Sequence, residues 1–282
     1  MKFIGTYWPT GLRLFSWKVY FLLSRILRYR KNVITANLNA CFESDTTALQ
    51  IRSWHHEYYQ VLRHYVLEAL YVAAMPPDKV VKLVEISEKE KWQSYFDKHP
   101  KAIIMASHYG NWEMNMVLLP TLLNRRVIAF YKPISNKYMG KCMHEIRSAY
   151  GLELYPIEQT LRIMSQYRDD NALYIFIGDQ SPVNLNSVYW NQFLGRKTPW
   201  FTGAEKLAAR FGYPVLYVHQ EPQYHDPLCY TLRFELISQN PELEAEGKIT
   251  EKYSRILELE IRKNPVYWLW SHKRWKRVKE TR

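Results

Sequence analysis

Seven consecutive residues, Ser107-His108-Tyr109-Gly110-Asn111-Trp112-Glu113, hold the types needed to move a proton. A neutral imidazole takes a proton from a hydroxyl, and a carboxylate holds the ring and stabilises the charge that develops. The apolar run Lys101-Ala102-Ile103-Ile104-Met105-Ala106 before them reads as a short buried strand, and Met114-Asn115-Met116-Val117-Leu118-Leu119 after them has helical composition. His108 therefore sits where a strand gives way to a helix. Residues five apart on a helix point about 140° away from each other. His108 and Glu113 can converge only if the histidine lies on a turn before the helix and the acid in its first turns. Gly110 favours such a turn, because glycine accepts backbone angles that other residues avoid. The ordinary alternative is a buried histidine satisfied by a carbonyl and a solvated acid at a helix N-terminus.

Two further stretches carry polar groups in suggestive places. Leu173-Tyr174-Ile175-Phe176-Ile177 runs into Gly178-Asp179-Gln180-Ser181-Pro182, a strand entering a polar turn. Asp179 can orient a catalytic group or bind a polar head group there, and Gln180 can hydrogen-bond a substrate. An aspartate capping its own turn is the plainer reading. Downstream, Arg196 and Lys197 precede a helix that Thr202 can cap. A helix N-terminus with nearby cations suits an anion, whereas a solvated basic loop needs no ligand. The C-terminal run Trp268-Leu269-Trp270-Ser271-His272-Lys273-Arg274-Trp275-Lys276-Arg277 interleaves indoles with bases. Such a run can stack single-stranded bases, or grip phosphorylated sugars or lipid head groups.

Composition narrows the setting. Lys and Arg total 39 against 27 acids, a net charge of +12, which favours an anionic partner without choosing among nucleic acid, lipid and acidic protein. The three cysteines, Cys41, Cys142 and Cys229, have neither metal-site spacing nor an even count, which argues against a disulfide framework. No apolar stretch reaches the roughly 18 residues of a spanning helix. Residues 12–27 come nearest, but Arg13, Lys18 and Arg25 interrupt them. This segment ends in Arg25-Ile26-Leu27-Arg28-Tyr29-Arg30-Lys31, with Tyr7, Trp8, Phe15 and Trp17 nearby, a pattern suited to lying on an anionic membrane surface.

These residues need a frame to position them. Residues 1 to about 75 read as helical, broken around Ser44-Asp45 and ended by Pro76-Pro77, and residues 78–98 give one or two helices. From about residue 100, strands are expected at 102–106, 127–131, 152–155, 172–177, 188–193, 215–219 and 230–236. Helices are expected at 113–123, 137–150, 160–168 and 202–211. This alternation predicts an α/β fold with a central mixed β-sheet flanked by helices, behind an N-terminal helical segment. Ligand sites in such sheets gather beyond the carboxyl ends of strands, where His108 and Asp179 both fall.

Taken together, these segments resemble the lipid A biosynthesis acyltransferases, the late lauroyl and myristoyl transferases of Gram-negative envelopes, from about residue 28 to the end. The likeness rests on Arg28-Tyr29-Arg30-Lys31-Asn32-Val33 with Asn37-Leu38, the His108-to-Glu113 motif, Tyr131-Lys132-Pro133 with Asn136, and Gly178-Asp179-Gln180. It continues through Phe193-Leu194-Gly195-Arg196 with Thr202-Gly203, and Trp270-Ser271-His272-Lys273-Arg274-Trp275-Lys276. Lys132 stands where the family usually has arginine, and Pro265-Val266-Tyr267 lacks the family's usual glutamate. The resemblance implies a glycerolipid-acyltransferase-like fold with a membrane-associating segment, 1–75, and an acyltransferase core, 76–282. It implies O-acyl transfer from acyl carrier protein to a hydroxyl of a phosphorylated glycolipid, a lipid A precursor. The same chemistry would serve an aminolipid, a phosphatidylinositol glycoside or a glycerolipid. His108 would be the base, Glu113 its orienting acid, and Asp179 an organiser of nearby polar groups. Asn111, Lys132, Gln180, Arg196, Lys197, His272 and Arg274 would bind substrate, and backbone amides near Gly110 or Lys132 would receive the oxyanion. It implies no metal or redox cofactor, no nucleic-acid partner, and a peripheral place on the cytoplasmic face of the inner membrane.

Overall fold

The computed structural model describes residues 10–132, 137–223 and 229–277. Tyr7, Trp8, Pro133 and Asn136 lie outside the described residues. The chain opens with helices α1 (Thr10–Phe21, continued by a π-turn Leu22–Ile26), α2 (Lys31–Phe42) and α3 (Ala48–Ala74). Thr47 caps α3, its hydroxyl accepting from the Gln50 amide at 3.2 Å, and Pro76-Pro77 follows where the helix stops. A short helix α4 (Pro77–Val80), strand β1 (Val84–Ile86) and helix α5 (Lys89–Lys98) lead to β2 (Ala102–Ala106) and α6 (Trp112–Leu123). Then come β3 (Val127–Tyr131), α7 (Lys137–Ser148), β4 (Leu152–Pro156), α8 (Thr160–Gln166) and β5 (Leu173–Ile177). A hairpin of β6 (Val188–Phe193) and β7 (Arg196–Phe201) precedes α9 (Gly203–Phe211), β8 (Val215–Pro222), β9 (Tyr230–Ser238) and α10 (Lys248–Lys263).

Seven strands form one sheet in the order β1-β9-β8-β2-β5-β3-β4, parallel throughout except where β8 meets β9. The hairpin β6-β7 stands apart as a two-stranded antiparallel sheet. The period-two geometry of a strand explains why β2 is apolar at every position. Ala102, Ile104 and Ala106 pack with α5 and α6, while Ile103 and Met105 pack with α9, α10 and the C-terminal aromatics. Apolar residues on both faces require helical layers on both faces. Buried side chains of α2 and α3, among them Ile34, Leu38 and Tyr58, belong to the same apolar cluster as Ile103 and Trp270.

The expected strands all form, most within a residue or two at their ends. β8 and β9 run farther than expected because their antiparallel pairing continues to Pro222 opposite Tyr230 at one end and to Ser238 opposite Val215 at the other. Two strands differ from expectation. Residues 84–86 pair with β9 instead of extending a helix. Arg196 and Lys197 open β7 instead of forming a loop, paired with Phe193 and Gln192.

The C-terminal segment returns across the carboxyl ends of the strands and is tied down by the N-terminal helices. The Asn37 amide donates to the carbonyls of Trp270 (2.9 Å) and His272 (3.0 Å), and Tyr65 Oη donates to the Tyr267 carbonyl (3.0 Å). Asn37→Ala leaves two largely buried carbonyls without this donor. It is expected to lower stability by about 1–3 kcal/mol, measured by urea denaturation against the unaltered protein.

Candidate active site

Parallel pairing of β2 with β5 sets Ala106 beside Ile177. Two residues beyond each strand end, His108 and Asp179 therefore come side by side. His108 Nδ1 lies 2.6 Å from Asp179 Oδ1, and the His108 backbone amide donates to Oδ2 at 3.0 Å. Trp268 Nε1 donates to the same Oδ2 at 2.8 Å. The Asp179 side chain is 1% exposed and that of His108 14%. Burial by itself would raise the Asp179 pKa. The charge and hydrogen bonds of His108, with the Trp268 indole, outweigh burial and hold it below the usual carboxylate value. An ionised carboxylate only accepts, so His108 carries its proton on Nδ1. Its Nε2 lone pair then faces outward, 3.0 Å from the amide nitrogen of Gln180, which donates to it.

The turn around His108 is braced on all sides. Gly110 adopts φ +64°, and a Cβ there would sit 3.0 Å from the Gln220 carbonyl. The Gly110 amide donates to the Tyr267 carbonyl (3.1 Å), and the His108 carbonyl accepts from the Leu269 amide (3.1 Å). Asn111 caps α6 through its Oδ1, which accepts from the Met114 amide at 3.0 Å, and its Nδ2 donates to the buried Glu68 carboxylate. The Trp112 ring meets the imidazole edge-on at a centroid distance of 4.9 Å.

Glu113, expected to orient His108, is gripped instead by Arg147 of α7 through Nε and Nη2, the latter at 2.9 Å. It rides the first turn of α6 with its carboxylate engaged by α7, while Asp179 occupies the Nδ1 side of the ring. His108, Glu113 and Arg147 nevertheless line one cavity of about 580 Å³. Its wall is apolar where α6, β3, β4 and β5 contribute, as at Met116, Val117, Ala129, Leu154 and Ile175. Lys132, Gln180, His272, Lys276 and Arg277 also line it.

Other expected contacts fall elsewhere. Arg274 is 1% exposed, donates through Nη2 to the Pro199 carbonyl at 2.6 Å and lies over the Trp200 ring at 4.7 Å. Burial pulls its guanidinium pKa down to about 10. Arg196 lies over the Trp275 ring at 4.8 Å and Lys197 over the Trp190 ring at 5.5 Å. None of the three lines the cavity. Thr202 stands at the N-cap of α9 but its side chain makes no capping bond. Asn111 is buried and committed to Met114 and Glu68, and the Gly110 amide is already bonded to Tyr267. Sequence reasoning missed Trp268 as a donor to Asp179, and missed Arg147, Lys276 and Arg277. Only the C-terminal pair carried a visible signal, the density of bases beside tryptophans.

A family profile for bacterial lipid A biosynthesis acyltransferases matches residues 10–277. The chain belongs to this family. No curated protein matches it. Membership makes the protein an acyltransferase of lipid A synthesis, and the site just described is the candidate for its chemistry. Among the described residues no group of three or more His, Cys, Asp or Glu is arranged to hold a metal ion.

His272 is the cavity's second imidazole. Its Nε2 accepts from the Ser181 amide at 3.1 Å, which leaves the ring proton on Nδ1. Burial, followed by the Lys276 charge, lowers its pKa to about 4. The folded state thus disfavours the protonated ring. The resulting stability is complete above the unfolded value of about 6.5 and is lost as pH falls toward 4. In an NMR titration the His272 ring signals are expected to hold still down to about pH 5. The decline in stability between pH 6.5 and 4 should be shallower in His272→Gln, with His64, also lowered to about 4, supplying part of what remains.

Proposed function

We propose that the protein transfers a fatty acyl chain from acyl carrier protein to a hydroxyl of a lipid A precursor. The observation that carries this reading is the His108–Asp179 pair, its Nε2 turned toward a cavity with one apolar wall. The acyl chain would lie in the trough between α6 and the strands, with its thioester carbon near Nε2. The acceptor hydroxyl displaces the Gln180 amide and gives its proton to Nε2. Its oxygen then bonds to the thioester carbon. Asp179 stabilises the imidazolium that forms. The tetrahedral intermediate collapses by breaking the carbon–sulfur bond, and His108 returns the proton to the departing thiolate. The products are an ester and the free carrier thiol.

Developing negative charge on the carbonyl oxygen needs donors already in place. The side-chain amide of Gln180, the Nδ1–H of neutral His272 and the guanidinium of Arg147 are among the cavity groups able to supply them. Glu113 would act by fixing Arg147 rather than by touching His108. The acidic surface of a carrier protein complements a chain of net charge +12.

Membrane contact is supported by the first helices. Trp17 is 50% and Ile26 63% exposed, with Phe15, Phe21, Leu22 and Leu27 also exposed, and Lys18, Arg25, Arg28 and Arg30 lie among them. Apolar side chains interleaved with cations suit the surface of an anionic bilayer. Among the described residues no helix is long and apolar enough to cross a membrane.

His108→Ala is expected to abolish transfer from acyl carrier protein to a purified lipid A precursor, with an unchanged circular dichroism spectrum. Asp179→Asn keeps the shape but removes the charge and is expected to reduce kcat by about 10³-fold or more. Full turnover by either variant would remove the pair from the mechanism. In cells lacking the protein, normally acylated lipid A would send the search to another membrane acceptor.

A further inference from the structure

The cations expected to hold anions, Arg196, Lys197 and Arg274, are occupied with aromatic rings, yet the cavity has another basic rim. Lys132 follows the end of β3, and Lys276 and Arg277 end the described C-terminal segment. All three line the His108 cavity although Lys132 is far from the other two in sequence. Arg30 and Lys273 add their fields at Lys276, together with Lys132 and Arg277. The rim is therefore a cluster in space, made only partly by the neighbours in sequence.

Among the described residues, several cations of the surface are neutralised by a neighbouring carboxylate, which those of the rim are not. Lys91, Arg126, Lys248, Arg255 and Arg262 each have a carboxylate within 3 Å. Among the described residues no ion pair is formed by Lys132, Lys273, Lys276 or Arg277. Among the described residues Arg277 reaches the Ser181 hydroxyl, at 3.5 Å, and no carboxylate. Of the two acids lining the cavity, Glu113 is held by Arg147, and among the described residues Glu158 forms no ion pair with the rim cations. Like charges gathered without counterions repel, and a bound anion relieves the repulsion. A phosphate monoester carries close to two negative charges and several acceptor oxygens, more than one carboxylate supplies.

We propose that Lys132, Lys276 and Arg277 form a phosphate-ester site that seats a phosphate of the glycolipid acceptor beside His108. The proposal rests on the reaction given above and adds where the acceptor is anchored. A phosphate on the rim and an alcohol at Nε2 would fix the acceptor at two points, so the site selects which hydroxyl is presented. The carrier protein's prosthetic arm also bears a phosphate ester, and the two sources are separable by experiment.

The test is the double variant Lys132→Gln/Lys276→Gln, with Arg277→Gln as a second, assayed with a phosphorylated lipid A precursor and with the same precursor after phosphatase treatment. The unaltered enzyme is expected to prefer the phosphorylated acceptor in kcat/KM. The double variant is expected to lose that preference by about tenfold or more. An unchanged preference, including one accompanied by a raised KM for the acyl donor alone, would overturn the assignment. Should the unaltered enzyme acylate no glycolipid, the proposed reaction fails, and pyrophosphate then reads the site without turnover. A rise in melting temperature with pyrophosphate in the unaltered protein, absent in the double variant, supports the site. No rise in either protein, or an equal rise in both, removes it.

Discussion

A single buried carboxylate organises this end of the molecule. Asp179 is almost sealed from water, and an ionised acid in that position persists only when its oxygens are hydrogen-bonded. Its donors come from two parts of the chain: the ring and amide of His108 beyond β2, and the indole of Trp268 in the returning C-terminus. Asp179 itself lies beyond β5. The burial that would drive this acid neutral is offset by His108 and Trp268 together. Chemistry and architecture are thereby tied to one side chain: the carboxylate that sets the imidazole tautomer through one oxygen holds the C-terminal segment over the sheet through the other.

The parallel sheet does the coarse positioning. In parallel pairs the carboxyl ends of strands share an edge, and the register of β2 with β5 makes the two turn residues neighbours whatever their side chains. The finer positioning comes from hydrogen bonds to backbone atoms of residues 108–110 and 267–269, including the isolated bridge between Tyr109 and Trp268. Gly110 permits this close approach, since its left-handed φ brings the chain against the Gln220 carbonyl. An imidazole on an otherwise exposed loop would wander. Here its backbone is clamped by the C-terminal segment and its ring by Asp179.

Much of this was legible in the sequence, and the failures share a physical cause. Apolar runs bounded by turns identified β2, β3 and β5 because their burial on both faces is written in residue type. The same patterning could not show β1, whose three residues gain strand character only by pairing with β9, nor β7, whose Arg196 and Lys197 look solvated until the hairpin places them over Trp275 and Trp190. His108 was visible from its turn. Its partner was misassigned because Glu113 is near in sequence whereas Asp179 is near only through strand pairing. Arg147 and Trp268 were invisible as site residues for the same reason. The resemblance assigns Arg274 to substrate binding, but its burial against Trp200 is a property of the fold and of no local motif.

The resting arrangement at Nε2 bears on how such a base works. A neutral imidazole buried beside a carboxylate has a lone pair that must be satisfied or left at a cost. Gln180 satisfies it with an amide proton, a neutral donor that leaves the ring uncharged. A substrate hydroxyl is also a neutral donor, so exchanging one for the other preserves the hydrogen-bond count and requires no ion to be desolvated. In the proposed reaction the displaced amide would still line the same cavity, with donors left to satisfy. An oxyanion developing on the thioester is an acceptor of the kind it then lacks. In the proposed reaction, Gln180 thus holds the base at rest and becomes a donor when charge appears. Charge separation is deferred until proton transfer, when Asp179 is already ionised and in contact with the ring.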